Sequence, residues 1–279
     1  MDPATLLGLL LAFAAMFAML FLEGAHVSSI MLPAPMILVF FGTIAVAVAG
    51  GTLRDALFSA KALPKAFKGR IPTAAERIEE LVSLAEVARS DGLLALEARA
   101  QTNEDPFLAR GLQSMADGVD GDSLRGQLED DIATADASAQ VASKFYTSMG
   151  GYAPTVGIIG TVVSLTHVLE NLSQPDELGH MIAAAFVATL WGLVSANFIW
   201  LPIGARLARL ARIEQDYMEL TMEGLLAIQE GSQPILLGER LRSMVPAHEL
   251  RGTDAGKASP GQPAGSAGAG DPRDVHEAL

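Results

Sequence analysis

Four stretches of the chain lack Asp, Glu, Lys and Arg altogether: Thr5 to Leu22, Ile30 to Val48, Gly150 to Leu169 and Met181 to Leu201. At about 1.5 Å per helical residue the last of them covers about 31 Å, the thickness of a bilayer core. Each is read as a transmembrane helix. The first follows Met1-Asp2-Pro3 with no basic residue ahead of it, and it is longer than the apolar part of a signal peptide. Pro33 and Pro35 stand at the entrance of the second, where a first helical turn tolerates proline.

Between the second and third spans the pattern changes to the three-and-four repeat of amphipathic helices. Leu53 to Phe67 is basic and amphipathic, and is predicted to lie along the membrane surface. Thr73 or Ala74 opens a helix whose apolar positions are Ile78, Leu81, Val82 and Ala85. Ser90-Asp91-Gly92 ends it, and another helix is expected from near Leu93. Asp105-Pro106 and Gly118 to Gly121 mark further turns. Nothing from Ser123 to Met149 stops a helix, so one is predicted to run directly into the third span. The fourth span is expected to continue past Pro202 to Glu230, with a last short element over Ile235 to Met244. From Pro246 the composition turns to Gly, Ala, Pro and Asp, too poor in apolar residues to pack, which predicts disorder.

The predicted fold is therefore all-α: a polytopic membrane protein with four transmembrane helices and a helical cytoplasmic region. Its segments are 1–50 with spans one and two, 51–149 cytoplasmic, 150–202 with spans three and four, 203–245 cytoplasmic again, and a disordered tail over 246–279. Composition agrees, since 50% of the residues are hydrophobic and only 18% charged. Charge placement sets the orientation. Arg54, Lys61, Lys65, Lys68 and Arg70 follow span two, and Arg206, Arg209 and Arg212 follow span four. The loop between spans three and four carries Glu170, Asp176 and Glu177 and no Lys or Arg. By the positive-inside rule both termini and the 51–149 region are cytoplasmic. A net charge of −13 suits neither nucleic acid nor an anionic lipid surface as the main partner. No cysteine and no paired histidines leave no metal site or redox centre to expect, and no catalytic motif appears; the sequence does not read as an enzyme.

The inner pair of spans holds the candidate chemistry. Pro154, Gly157, Thr161 and Ser164 share one helix face, and Ala185, Thr189, Gly192 and Ala196 share another. Such a stripe serves close helix packing or lines a pore, and periodicity alone leaves both open.

Several segments of this chain resemble the MotA/PomA family of flagellar motor stator proteins. They are Ala-Pro-Thr-Val-Gly-Ile-Ile-Gly-Thr (153–161), Ala-Thr-Leu-Trp-Gly (188–192), Leu-Pro-Ile-Gly-Ala-Arg-Leu (201–207), Glu-Gly-Leu-Leu-Ala-Ile-Gln-Glu-Gly (223–231) and the opening Met-Asp-Pro-Ala-Thr-Leu-Leu-Gly. The resemblance covers residues 1 to 245. It implies an inner-membrane stator subunit, a homo-oligomer (a pentamer around a partner dimer) whose MotB/PomB-type partner anchors to peptidoglycan and carries a membrane aspartate. The spans agree with that need, because they hold no Asp, Glu, Lys or Arg and only His167 among the imidazoles. A proton path across hydrocarbon requires a titratable relay.

The resemblance also implies roles for single residues. Thr161 and Thr189 match hydroxyl positions that face the partner's aspartate; alternatively each hydroxyl bonds its own i−4 carbonyl. Pro154 and Pro202 match prolines tied to gating, against an ordinary kink. Arg89 and Glu97 match a charged pair that contacts the rotor protein FliG, where the plainer reading is a solvated helix face. Ala188-Thr189 stands where sodium-using relatives often carry two threonines, which favours protons as the ion, with sodium the alternative. An ExbB/TolQ-type energiser of outer-membrane transport and a passive membrane scaffold are the rival functions.

Overall fold

In the computed structural model, which describes residues 4–68, 73–170, 172–173 and 175–250, two very long helices form an antiparallel hairpin. Helix α7, Gly121–Glu170, has 50 residues and is about 75 Å long. Asp120 caps it, accepting from the Ser123 backbone N–H at 3.0 Å. Hydrogen bonds from Ser123 hold the Asp120 carboxyl below its ordinary pKa. The return arm is α8, Pro175–Ser195, a π-helical turn Ala196–Trp200, and α9, Leu201–Gln229. The continuous passage from Ser123 into the third apolar run is as expected, and Pro154 does not interrupt it.

The π turn was not foreseen. Proline lacks an N–H, and its ring collides with the carbonyl four residues back. Ahead of Pro202 the chain widens by one residue, and the Leu201 N–H bonds Ala196 O, an i−5 partner. Pro202 itself lies in the first turn of α9.

At the apolar end of the hairpin lie α1, Ala4–Leu22, and α2, Pro33–Ala49. The second apolar run begins its helix at Pro33 rather than Ile30. The residue before a proline is driven out of the helical region, and Leu32 is extended at φ −91° and ψ 119°. Three helices, those containing Thr5–Leu22, Gly121–Glu170 and Leu178–Gln229, are long and apolar enough to cross a membrane; α2, at 17 residues, is shorter. Helix α2 packs on α7 and α8, with the Trp191 indole N–H donating to Ile30 O at 2.7 Å. Helix α1 touches the hairpin at the π turn, where Phe13 and Phe198 meet edge-to-face at 5.6 Å.

The polar end is built from α3, Leu53–Lys68, α4, Ala74–Asp91, α5, Leu96–Thr102, α6, Pro106–Ala116, α10, Pro234–Met244, and α11, Ala247–Leu250. Thr73 opens α4 through a reciprocal capping box with Glu76. Asp105 caps α6 ahead of Pro106. The helix expected from Leu93 begins instead as a 3-10 turn, Leu93–Ala95, and becomes α-helical at Leu96. Leu81, Leu84, Leu108, Leu112, Leu124, Leu128, Leu225 and Leu237 close one core around the hairpin. Each such side chain contributes about 2 kcal/mol. The expected disordered tail is helical over 247–250, where Leu250 packs on that core; from 251 onward it lies outside the described residues.

Candidate functional site

The two stripes of small residues face each other. A Cβ on Gly157 would stand 2.8 Å from Ala188 O and 3.1 Å from Gly192 Cα; one on Gly192 would stand 2.9 Å from Ala153 O. Here α7 and α8 are in backbone contact, which only glycine on both sides permits. Below this the seam continues where Gly204 abuts Thr147 and the Ser143 hydroxyl donates to Gly204 O at 3.0 Å.

Thr161 and Thr189 meet across the seam, their hydroxyl oxygens 2.5 Å apart. Thr161 Oγ1 also lies 3.0 Å from Ala185 O and 3.2 Å from Gly157 O. Carbonyls only accept, so Thr161 donates wherever it bonds one of them, and across the 2.5 Å contact either threonine can be the donor. The plainer reading holds for Thr161, whose own i−4 carbonyl, Gly157 O, is within reach, and a carbonyl of the opposite helix, Ala185 O, is within reach as well. The Thr189 oxygen keeps an acceptor site, and both side chains stay partly exposed. Ala188 is fully buried, its methyl sealed against Gly160.

The other predicted residues are not gathered with this pair. Pro154 is partly exposed and lies by the Gly192 contact. Pro202 sits at the far side of the π turn. His167 stands beside Glu170 at the end of α7, 3.7 Å away, well past the threonines along the helix. Arg89 is exposed at the end of α4, and Glu97, partly buried at the start of α5, accepts a weak hydrogen bond from Gln101 at 3.4 Å. No ion pair joins the two among the described residues. Each is presented at the polar end, opposite the threonine seam.

Two features escaped the pattern reading. Asn197 is an exposed amide within the fourth apolar run, donating to Leu193 O at 2.9 Å; a lone amide among apolar residues was the available signal. At the polar end Arg77, only 3% exposed, binds the Tyr217 hydroxyl at 2.5 Å, pairs with Asp105, and meets Glu80 at 3.0 Å. Its guanidinium also lies 4.5 Å above the Tyr217 ring. Burial pushes the Tyr217 phenol above its usual pKa, although Arg77 pulls the other way. Arg77 ties α4, α9 and the start of α6 together, and nothing in a helical repeat reveals such a lock.

Residues 99–220 match the model of the MotA/TolQ/ExbB proton channel family. Motility protein A of Bacillus subtilis (strain 168) is 32% identical over 268 residues, 94% of this chain and 98% of that protein. Chemotaxis protein PomA of Vibrio alginolyticus is 32% identical over 243 residues, 87% of this chain and 95% of its own length. Among solved structures, C. jejuni MotAB superposes with a TM-score of 0.85 at 26% identity, covering 88% of this chain and 97% of that one. The flagellar MotAB stator complex from Bacillus subtilis gives 0.82 at 32% identity, covering 89% and 98%.

Proposed function

The chain belongs to the MotA/PomA family of flagellar motor stator proteins, within the MotA/TolQ/ExbB proton channel family, and on that premise we propose that it couples proton flow to flagellar rotation together with a MotB-type partner. The observation that carries this reading is the threonine pair. The apolar runs contain no Asp, Glu, Lys or Arg, so a titrating group must be supplied to them, and the Thr161–Thr189 seam is where one can be received. With its proton given to Thr161, the Thr189 oxygen accepts from a carboxylic acid and holds the neutral, protonated form of a partner's aspartate. An unsatisfied polar group in hydrocarbon costs several kcal/mol, so this contact decides where the acid rests. Pro154 beside the Gly192 contact and Pro202 beyond the π turn are the places where the helices yield as the acid moves. Arg89 and Glu97 at the polar end transmit that motion to a rotor protein of the FliG type.

Protons rather than sodium fit the site, because the buried Ala188 adds no hydroxyl to those of Thr161 and Thr189 with which to ligate a cation. Ring formation, with five copies around a partner dimer, and cytoplasmic placement of both termini complete the reading. The chain sits in the bacterial inner membrane. The test is co-expression with the partner in a motility-deficient host. Thr189→Ile abolishes swimming and ion flux with the complex still formed, whereas Thr189→Ser retains most of both. Swimming persists when potassium replaces sodium. Normal flux in both Thr161→Ile and Thr189→Ile would reduce the seam to a packing surface and leave the scaffold reading.

A further inference from the structure

Helix α3 has three faces rather than two. Successive helical residues are about 100° apart. Ser59 and Ala66, both buried, mark the side against α7 and α9, where the Tyr146 hydroxyl donates to Ser59 O at 3.1 Å. The remaining surface is divided lengthwise. One flank carries Leu53, Leu57, Ala60, Pro64 and Phe67, all exposed, with Leu53 67% and Leu57 58% accessible. The adjoining flank carries Arg54, Lys61 and Lys65 with the exposed Phe58 at its outer edge; Lys65 is engaged by Glu214 at 2.6 Å, while Arg54 and Lys61 are exposed.

We infer that this divided outer surface of α3 is a binding site for anionic phospholipid of the leaflet at which α2 ends, with Arg54 and Lys61 on the phosphate and the Leu53–Leu57 flank among the upper acyl carbons. The inference rests on the membrane reading given above. Three observations select lipid over water or another protein. Helix α3 starts only four residues after α2 ends at Ala49, so it cannot leave the level at which the apolar helix emerges. Its apolar and basic flanks are adjacent and parallel, which matches the layering of acyl chains beneath headgroups. Pro64 deprives Ala60 O of its helical partner, and both residues lie on the outer surface. That carbonyl needs a wet, polar layer rather than dry hydrocarbon, which sets the helix at headgroup depth. The site pins the polar end of the hairpin to the bilayer on the side of α3, so that the long helices turn against a fixed reference.

The chain has no cysteine, so one introduced residue carries one label. Full-length complex bearing a bimane at Leu57→Cys, or at Leu53→Cys should the first disturb the fold, is reconstituted in vesicles with brominated phosphatidylglycerol or brominated phosphatidylcholine at equal mole fraction. Brominated lipid quenches the label, phosphatidylglycerol more than phosphatidylcholine, and that preference falls about fivefold for each of Arg54→Gln and Lys61→Gln. Quenching by aqueous iodide alone overturns the site, as does shielding from both quenchers, which means a protein covers the face. Equal quenching by the two lipids overturns the headgroup recognition. A label at Phe41→Cys, on the exposed side of α2, separates the premises: if it too escapes brominated lipid, the membrane reading fails; if it is quenched while Leu57 is not, only the lipid site does.

Discussion

The two halves of the α7–α8–α9 hairpin are held together by opposite means. At the polar end large side chains from the flanking helices pack onto the hairpin: Leu81 of α4 against Gly224 of α9, and Leu225 of α9 against Gly111 of α6, with Leu124 and Leu128 of α7 in the same core. At the apolar end the two arms pack directly on each other with almost nothing between, and the Gly157 and Gly192 backbones touch. The difference follows from the solvent. In water, burying leucine drives association, at about 25 cal/mol per Å². In lipid that drive vanishes, and close van der Waals packing with interhelical hydrogen bonds must replace it. The apolar half is thereby the shape-dependent one, and the threonine pair sets two side-chain hydroxyls against each other across its arms.

The strongest way to break this contrast is Gly157→Val. Its Cβ meets a carbonyl oxygen and an α-carbon, neither of which can rotate away, and the branched side chain adds further volume. Overpacking of this kind costs about 1–3 kcal/mol and sometimes more. The expected outcome is loss of the complex from membranes by affinity purification with the partner, not merely loss of motility. Recovery of a normal complex would show that the arms part freely.

Next in size is Arg77→Ala at the polar end. Removing the guanidinium strands Asp105 and the Tyr217 hydroxyl and loosens α4 from α9. Breaking a buried pair costs about 3 kcal/mol. The purified complex then loses protection of the 74–116 region against limited proteolysis while its apolar helices stay intact. Arg77→Lys should fall between, since one ammonium cannot serve Tyr217, Asp105 and Glu80 from a planar fork.

The contrast between the halves also explains what could be read without coordinates. Long charge-free runs, Thr73 at a helix start and the Asp105-Pro106 turn are local; each run is helical, three of them in helices long and apolar enough to cross a membrane, and both of the other signals stand where expected. The stripes bearing Thr161 and Thr189 were equally legible, because periodicity places residues on a face. Periodicity does not name the facing partner, and so it left open that the stripes meet one another. The π turn has one local sign, Pro202, which a helix can equally meet with a kink or an end. The Arg77 lock joins residues 140 positions apart and has no local signature.

The smallest expected effect is also the sharpest discriminator. Gly111 on α6 faces Leu225, and an alanine methyl there presses on Leu225 Cδ1, the tip of a flexible side chain. Two terms then oppose each other. Replacing glycine within a helix gains up to about 1 kcal/mol of intrinsic propensity. Displacing the leucine tip costs about 1 kcal/mol, at the lower edge of overpacking penalties. Gly111→Ala should therefore leave the unfolding midpoint of the polar end nearly unchanged. The double substitution Gly111→Ala, Leu225→Val should be better than the sum of its parts, because the shorter side chain withdraws the atom in the way. The matching experiment at the apolar end has no such rescue. For Gly157→Ala the obstacle is Ala188 O, which every residue at position 188 would carry. A double-mutant cycle coupling Gly111 to Leu225 beside none between Gly157 and any replacement of Ala188 would establish that one half is packed by side chains and the other by backbone. Equal coupling in both would mean that the apolar arms, too, are held by what lies on them rather than by how closely they approach.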